Sequence, residues 1–188
     1  LIKAMISLFW QVLRFRRSPE DIPYSIGLLI IVILINLTLS IGGQMIGKPD
    51  QAKMAFTIPL LSVSVELVVM SAFLHLKGFY NRFVQTATTI LGGDCILTCM
   101  TIPLLAIALS QPKGSPLLGV LGLFEIVVMG WSLGFRAFVY HRAMNIGLVQ
   151  ANMFALTIFL LTTFITVKAF PELLTEATAA AAKASKSP

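Results

Sequence analysis

Charged residues are scarce in this sequence. Only 12% of its 188 residues are charged, 57% are hydrophobic, and the mean hydropathy is +0.89. A typical soluble domain has about a quarter of its residues charged. The scarcity of charge therefore excludes a soluble globular domain and predicts an all-α membrane protein. The formal net charge is +6, but no basic run with interleaved aromatic residues is present, so the sequence gives no indication of nucleic-acid binding.

Cysteine and histidine are also rare, with two residues of each. Cys95 and Cys99 are one helical turn apart and could bind a soft metal with Asp94, but their small side chains more simply serve packing. His75 and His141 fall at the ends of spans, and His141 lies too far out to match His75 in a haem site. We therefore predict no metal and no cofactor.

Sequence patterns of catalytic sites are missing as well. There is no Gly-x-Ser-x-Gly nucleophile motif. Gly92-Gly93-Asp94 only superficially resembles the Gly-x-Gly-Asp pattern of intramembrane aspartyl proteases, and no second intramembrane aspartate is present. Ser62 and Ser132 have no histidine at equal depth that could act as a base. The sequence therefore predicts a protein without enzymatic activity and without catalytic residues.

Apolar segments dominate what is present. A membrane-spanning helix needs about 20 mainly apolar residues, and five segments meet that requirement. The prediction is a single membrane domain over residues 1–170, a polytopic helix bundle of five transmembrane helices, followed by an Ala-rich tail over residues 171–188. The predicted spans are 24–43, 56–76, 84–110, 116–135 and 145–167.

The loop charges predict an orientation. All six arginines precede span one or fall in the links between spans two and three and between spans four and five. Because positive residues concentrate on the cytoplasmic side, the N-terminus is expected in the cytoplasm and the C-terminus on the outer side, in the periplasm of a bacterial inner membrane. Aromatic residues near the cytoplasmic ends of the spans, Trp131 and Tyr140 among them, are typical of an interfacial belt.

The first 17 residues predict an amphipathic helix that lies in the membrane interface. Apolar residues recur at helical spacing from Ile2 to Leu13, and such a helix places its apolar side in the acyl boundary. The residues expected to contact the lipid interface are Trp10, Arg14, Arg16 and Arg17. The alternative is that this helix packs against the protein's own spans or a partner.

Three acidic residues, Glu66, Asp94 and Glu125, lie near the middle of spans two, three and four. Each costs of order 3 kcal/mol at the bilayer centre unless it is compensated. Their depths are expected to coincide, and no lysine or arginine is expected at mid-span to pair with them. Three interpretations stay open: a shared proton or cation site, neutral carboxyls bonded to nearby Ser or Thr, and pairing with a basic residue of a partner protein.

Other intramembrane residues add polar or close contacts. Thr98 shares a helical face with Asp94 and joins the candidate ion site. Asn36 is expected to make a polar contact between helices. Gly130 and Gly134 form a Gly-x-x-x-Gly pair that lets a neighbouring backbone approach, so both are candidates for helix packing.

The layout resembles the bacterial members of the Yip1-like group of five-span proteins. The resemblance rests on the amphipathic N-terminal helix with Trp10, the Pro-containing turn into span one, Phe83-Val84-Gln85 at the entry to span three, and Pro103 within that span. The resemblance implies a role in membrane trafficking or membrane shaping, as in the eukaryotic members of the group, and no catalytic residues.

From the small loops and the scattered polar residues, we expect an accessory or scaffold subunit of a larger inner-membrane assembly. The expected partners are the lipid bilayer and other membrane subunits or a second copy of the chain. The alternative is an ion- or proton-translocating subunit that uses the intramembrane carboxylates.

Overall fold

Helices account for nearly all of the ordered structure in a computed structural model of the chain, which describes residues 2–47, 51–112, 114–173, 175 and 178. No strand occurs in the described ranges. Two 3-10 turns, Pro19–Asp21 and Tyr80–Arg82, precede α2 and α4. The helices are α1 (Ile2–Leu13), α2 (Ile26–Gly47), α3 (Ala52–Leu76), α4 (Phe83–Ser110), α5 (Pro116–Met144) and α6 (Leu148–Ala169).

Five of these helices, α2 to α6, are long and apolar enough to cross a membrane. Their outward surfaces carry many exposed large apolar side chains, as expected for contact with lipid rather than water. The predicted all-α, multi-pass architecture with five spanning helices and a shorter N-terminal helix is therefore confirmed.

The five long helices form a ring in the order α2, α4, α5, α6, α3, with α3 returning to α2. Helix α4 has the most neighbours, because it also contacts α1 and, across the ring, α3. Its residues from Thr86 to Gly93 are all buried. Asn36 of α2 donates from Nδ2 to the carbonyl oxygen of Leu91 in α4 at 3.4 Å, which is a polar contact between helices of the kind expected from the sequence.

The two ends of the bundle differ. We call the end with the links 77–82 and 145–147 the α1 side, and the end with the link 111–115 the far side. On the α1 side, Arg82 forms an ion pair with Glu20 at 3.1 Å and donates to the carbonyl oxygen of Arg142 at 3.2 Å. Gln85 donates to the carbonyl oxygen of Ile22 at 2.8 Å. These contacts hold the entry to α2 against the ends of α4 and α5.

Helix α1 packs onto the bundle along α4. Phe9, Val12 and Leu13 are buried, whereas Ile6 and Trp10 on its other side are exposed. The carbonyl oxygen of Leu13 accepts a 3.0 Å hydrogen bond from the indole N–H of Trp131 in α5. The apolar side of this helix thus contacts the protein's own spans, the alternative arrangement noted above, and its opposite side is open to the surroundings.

One span boundary differs in a way that matters for the site. Span four was predicted to end at Phe135, before Arg136, but α5 continues to Met144. The helix ends where Asn145 adopts a left-handed conformation (φ 50°), a common helix terminus. The charge of Arg136 does not end the helix, because its guanidinium finds partners inside the bundle. Most of the predicted tail over residues 171–188 lies outside the described residues.

Candidate functional site

Polar side chains from three helices meet inside the ring. Glu66 lies on α3, Asp94 on α4, and Arg136 and Tyr140 on α5. Ser132 joins them, because residues four apart share a helix face and Ser132, Arg136 and Tyr140 follow one another at that spacing. We call these five residues the Arg136 cluster.

Arg136 is the centre of the cluster. Its Nε donates to Glu66 Oε1 at 2.9 Å and its Nη2 donates to Asp94 Oδ2 at 2.6 Å, with a longer contact of 3.4 Å to Glu66 Oε2. Its Nη1 donates to the hydroxyl of Ser132. The planar guanidinium thus binds two carboxylates on two other helices at once, which suits its fixed arrangement of N–H donors.

Tyr140 completes the hydrogen bonding of Glu66. Its hydroxyl donates to Glu66 Oε1 at 3.0 Å, and the Tyr140 side chain is fully buried. The sequence placed Tyr140 in an interfacial aromatic belt, and this interpretation is wrong. The side chain turns into the ring instead, where its ring also packs edge-on against Phe154 of α6 at 4.9 Å.

Glycine at position 93 allows α5 to approach α4 beside the cluster. A Cβ atom on Gly93 would lie 2.4 Å from the ring of Phe135, which is far inside contact distance. Phe135 is fully buried and immediately precedes Arg136. Gly92 likewise allows α1 to approach α4 on its outer side. A Cβ atom on Gly92 would lie 2.4 Å from the ring of Phe9 in α1. The Gly92-Gly93-Asp94 sequence therefore serves close packing around the acid.

The cluster is shielded from the surroundings. The relative exposure of the side chains is 10% for Glu66, 16% for Asp94 and 19% for Arg136. Removing charges from water costs several kcal/mol per ion, and only close pairing with further hydrogen bonds offsets this cost. Breaking such a pair by removing one partner typically costs about 3–5 kcal/mol. The cluster therefore links α3, α4 and α5. It stabilises their packing only when all its members are present, because a missing partner leaves a charge unpaired.

The expectation that no basic residue of this chain pairs with the acids is wrong, because Arg136 binds Glu66 and Asp94. Arg136 was assigned to a cytoplasmic loop because a charged residue ordinarily marks a span end. Two signals in the sequence point the other way: Ser132, Arg136 and Tyr140 share one helical stripe, and the apolar run from Ala137 to Tyr140 continues beyond the charge. Glu66 and Asp94 pair with a cation of their own chain, an arrangement that none of the three interpretations of the acids included.

Glu125 does not join the other two acids. It lies on α5 about 16 Å from Arg136 along the helix axis, at a rise of 1.5 Å per residue. The expectation that the three acids share one depth is therefore wrong. Glu125 is exposed, and in the described part of the chain it has no hydrogen-bond or ion-pair partner. It lies about 14 Å from the start of α5, near the middle of a hydrocarbon core of about 30 Å.

The remaining candidate residues fall outside the cluster. Thr98 is half-buried, one helical turn from Asp94, and its carbonyl oxygen accepts a hydrogen bond from Thr101. At Gly130 and Gly134 an added Cβ would meet no atom within 4 Å, so no described helix of this chain packs closely there. Their packing against a second chain stays a prediction.

The cysteines and the N-terminal residues occupy separate places. Cys95 is half-buried, with its Sγ 3.9 Å from the carbonyl oxygen of Val32, whereas Cys99 is exposed. Contact with the lipid interface stays a prediction for a set of residues that are all exposed in the structure, namely Trp10, Arg14, Arg16 and Arg17.

The fold and the cluster together define the class: a multi-pass membrane protein with a largely buried ion-pair network between its helices. Comparisons with protein-family models, curated proteins and solved structures found no match to this chain. The resemblance to the Yip1-like group stays a prediction from the sequence.

Proposed function

We propose that this protein is a non-enzymatic accessory or scaffold subunit of a larger membrane assembly. The proposed location is the bacterial inner membrane, with the N-terminus in the cytoplasm and the C-terminus in the periplasm. The observation that carries the proposal is the incomplete burial of the first half of α5. No residue from Pro116 to Gly130 is buried, although this segment lies in a spanning helix and carries Glu125, which has no ion-pair or hydrogen-bond partner among the described residues.

The contrast between the two halves of α5 supports this role. In the second half, Arg136 and Tyr140 are bound by Glu66 and Asp94, so the chain satisfies its own polar groups there. In the first half, a carboxyl that costs of order 3 kcal/mol in hydrocarbon has no such compensation. A subunit that contributes one helix face to an assembly has this distribution of satisfied and unsatisfied polar groups.

Purification tests the proposal. The tagged protein is extracted in a gentle detergent, and the mass of the purified species and its components are measured. We expect other membrane proteins in fixed stoichiometry with this chain. A monomer or a homo-oligomer from the same extraction would contradict the proposal.

The second candidate function is proton or cation translocation through the ring. The observation that favours it is the charge balance of the Arg136 cluster, where two carboxylates, those of Glu66 and Asp94, contact one guanidinium. Because like charges in a low-dielectric site repel, the second negative charge favours uptake of a proton or a cation. Binding and release of that charge at the centre of a five-helix ring would be the elementary step of transport.

Flux measurements distinguish the two candidates. The purified protein is reconstituted in liposomes that contain a pH-sensitive dye or, in parallel, a dye that responds to the cation supplied outside, and an imposed potential drives ion entry. Transport through the cluster predicts a flux that Asp94→Asn abolishes and that Glu20→Gln, on the α1 side, leaves unchanged. Absence of flux with the wild-type protein, together with a stoichiometric partner in the purification, leaves the scaffold role.

A further inference from the structure

Glu125 lies on a defined stripe of α5. Positions three, four and seven residues apart share one face of a helix, and the half-buried Leu118, Leu121 and Gly122 lie on the same face as the exposed Glu125 and Met129. An added Cβ on Gly122 would meet no atom within 4 Å. The stripe thus combines an acid, flanking apolar side chains and a glycine that permits close approach. We call it the Glu125 stripe: Leu118, Leu121, Gly122, Glu125 and Met129.

The opposite face of α5 has a different character. Val120, Leu123 and Val127 are all more than 60% exposed and apolar. Side chains of this kind are stable against lipid tails without any further partner. The Glu125 stripe is not stable against lipid tails alone, because its carboxyl has neither a counter-ion nor a hydrogen-bond donor among the described residues. The need for a partner is therefore confined to one side of the helix.

A second copy of the chain does not supply the missing charge. Among the described lysines and arginines of the spanning helices, Lys53, Arg142 and Lys168 lie in the first or last turn. Arg136 lies further from a helix end and is already bound by Glu66 and Asp94. A two-fold dimer through the stripe would bring two Glu125 side chains to the same depth, because such an interface pairs each patch with itself. Like charges in that position repel.

We propose that the Glu125 stripe binds a transmembrane helix of a different protein, and that this helix carries a lysine or arginine at the depth of Glu125. The proposal rests on the proposed function and adds the chemistry of the partner. Ion pairing compensates the carboxyl in hydrocarbon, and the flanking leucines and Gly122 provide the packing that drives helix association in lipid.

Site-specific cross-linking tests the location and chemistry of the contact. A photo-activatable residue replaces Met129 on the stripe or, as the matched control, Val127, which is exposed on the opposite face. The probe is activated in intact membranes. We expect position 129 to give an adduct with a transmembrane segment of another protein, within one helical turn of a lysine or arginine, and position 127 to give no such adduct. An adduct with a second copy, no protein adduct from position 129, or a segment without a basic residue overturns the proposal.

Charge reversal tests the ion pair itself. Glu125→Lys is expected to lower recovery of the cross-linked partner by about 30-fold or more, the effect typical of breaking a desolvated charge pair. Replacing the partner's basic residue with glutamate, in combination with Glu125→Lys, is expected to restore recovery of the cross-linked partner. Gly122→Ile should weaken binding by steric exclusion, whereas Val127→Phe, an enlargement on the opposite face, should not.

The outcomes separate this inference from the proposed function. If a stoichiometric partner purifies with the wild-type chain and Glu125→Lys leaves its recovery unchanged, the ion-pair inference is wrong and the scaffold role stands. If no partner purifies with the wild-type chain, the proposed function fails and the inference fails with it.

Discussion

Arg136 is the residue on which the interior of this protein depends. It contacts Glu66 and Asp94 on two other helices within 3 Å each, and its removal leaves two carboxylates that are at most 16% exposed without a counter-charge. A carboxylate removed from water raises the free energy of the folded state far more when it is unpaired than when it is paired. The same residue explains how a helix can carry a guanidinium inside its span and still extend for two further turns.

Arg136→Met is therefore expected to destabilise the protein by about 3–5 kcal/mol. The measurement is the thermal unfolding midpoint in detergent, followed by tryptophan fluorescence. The control is Arg142→Met, an exposed position where a change within about 0.5 kcal/mol is expected. Combining Arg136→Met with Glu66→Gln and Asp94→Asn should recover much of the loss, because no charge then stays buried without a partner. Equal loss in the triple variant would show that packing of the arginine, not its charge, supports the fold.

At the level of the helices, the distance between α4 and α5 is set at Gly93. The Phe135 ring occupies the space where any larger residue would place its Cβ. Phe135 adjoins Arg136 along the chain, so the approach of the two helices and the geometry of the cluster depend on one another.

Gly93→Ala is expected to destabilise the protein by about 1–3 kcal/mol, the usual cost of overpacking a core. Thermal unfolding in detergent measures the effect. Gly130→Ala is the matched control on α5, because an added methyl there meets nothing within 4 Å, and Ala favours helix over Gly by about 1 kcal/mol. Phe135→Leu should partly rescue Gly93→Ala, since it removes atoms from the contact. Without rescue, the steric explanation would be wrong.

Helix α1 packs against the bundle through the face that carries Phe9. Phe9 lies against Gly92, and Leu13 accepts a hydrogen bond from Trp131, so both the middle and the end of α1 are fixed to spanning helices. The exposed side with Trp10 has no such contacts within the described chain and is available to lipid.

Phe9→Ala should release α1 from α4, whereas Ile6→Ala should not, because Ile6 is 55% exposed and Phe9 is 7% exposed. The expected result is a marked rise in amide hydrogen exchange across Ile2–Leu13 for Phe9→Ala only. Equal exchange in both variants and the wild-type chain would indicate that the membrane, rather than α4, orders this helix.

At the level of the whole molecule, the ring of five helices has two chemically distinct ends. The α1 side carries the contacts of Arg82 with Glu20 and with the end of α5, as well as an open groove whose lining includes His141 and Arg142. The proposed orientation places this end in the cytoplasm. Basic residues there would face an anionic leaflet, with each contributing about 1 kcal/mol of attraction.

The orientation is tested by labelling single cysteines in a background with Cys95 and Cys99 replaced by alanine. Lys53→Cys lies near the far side of the bundle and Lys77→Cys on the α1 side, and both positions are exposed. In intact cells an impermeant thiol reagent should label position 53 and leave position 77 unlabelled until the membrane is opened. The reverse pattern would place the N-terminus outside.

The sequence by itself determined the class of this protein and its elements. Five apolar runs of sufficient length and an amphipathic start are local properties, because each helix satisfies its own backbone hydrogen bonds in lipid. The spacing of Glu66, Asp94 and Glu125 within these runs also identified where compensation is needed.

Only the tertiary structure decided which groups provide that compensation. The order of helices around the ring brings α3 and α4 to the Arg136 end of α5 and leaves Glu125 without an ion-pair or hydrogen-bond partner among the described residues, and no local pattern specifies that order. Arg136 looked like a loop residue because a charge in an apolar sequence ordinarily marks the membrane surface. Its partners lie 42 and 70 residues away in the chain, and only their convergence stabilises the charge inside the bundle.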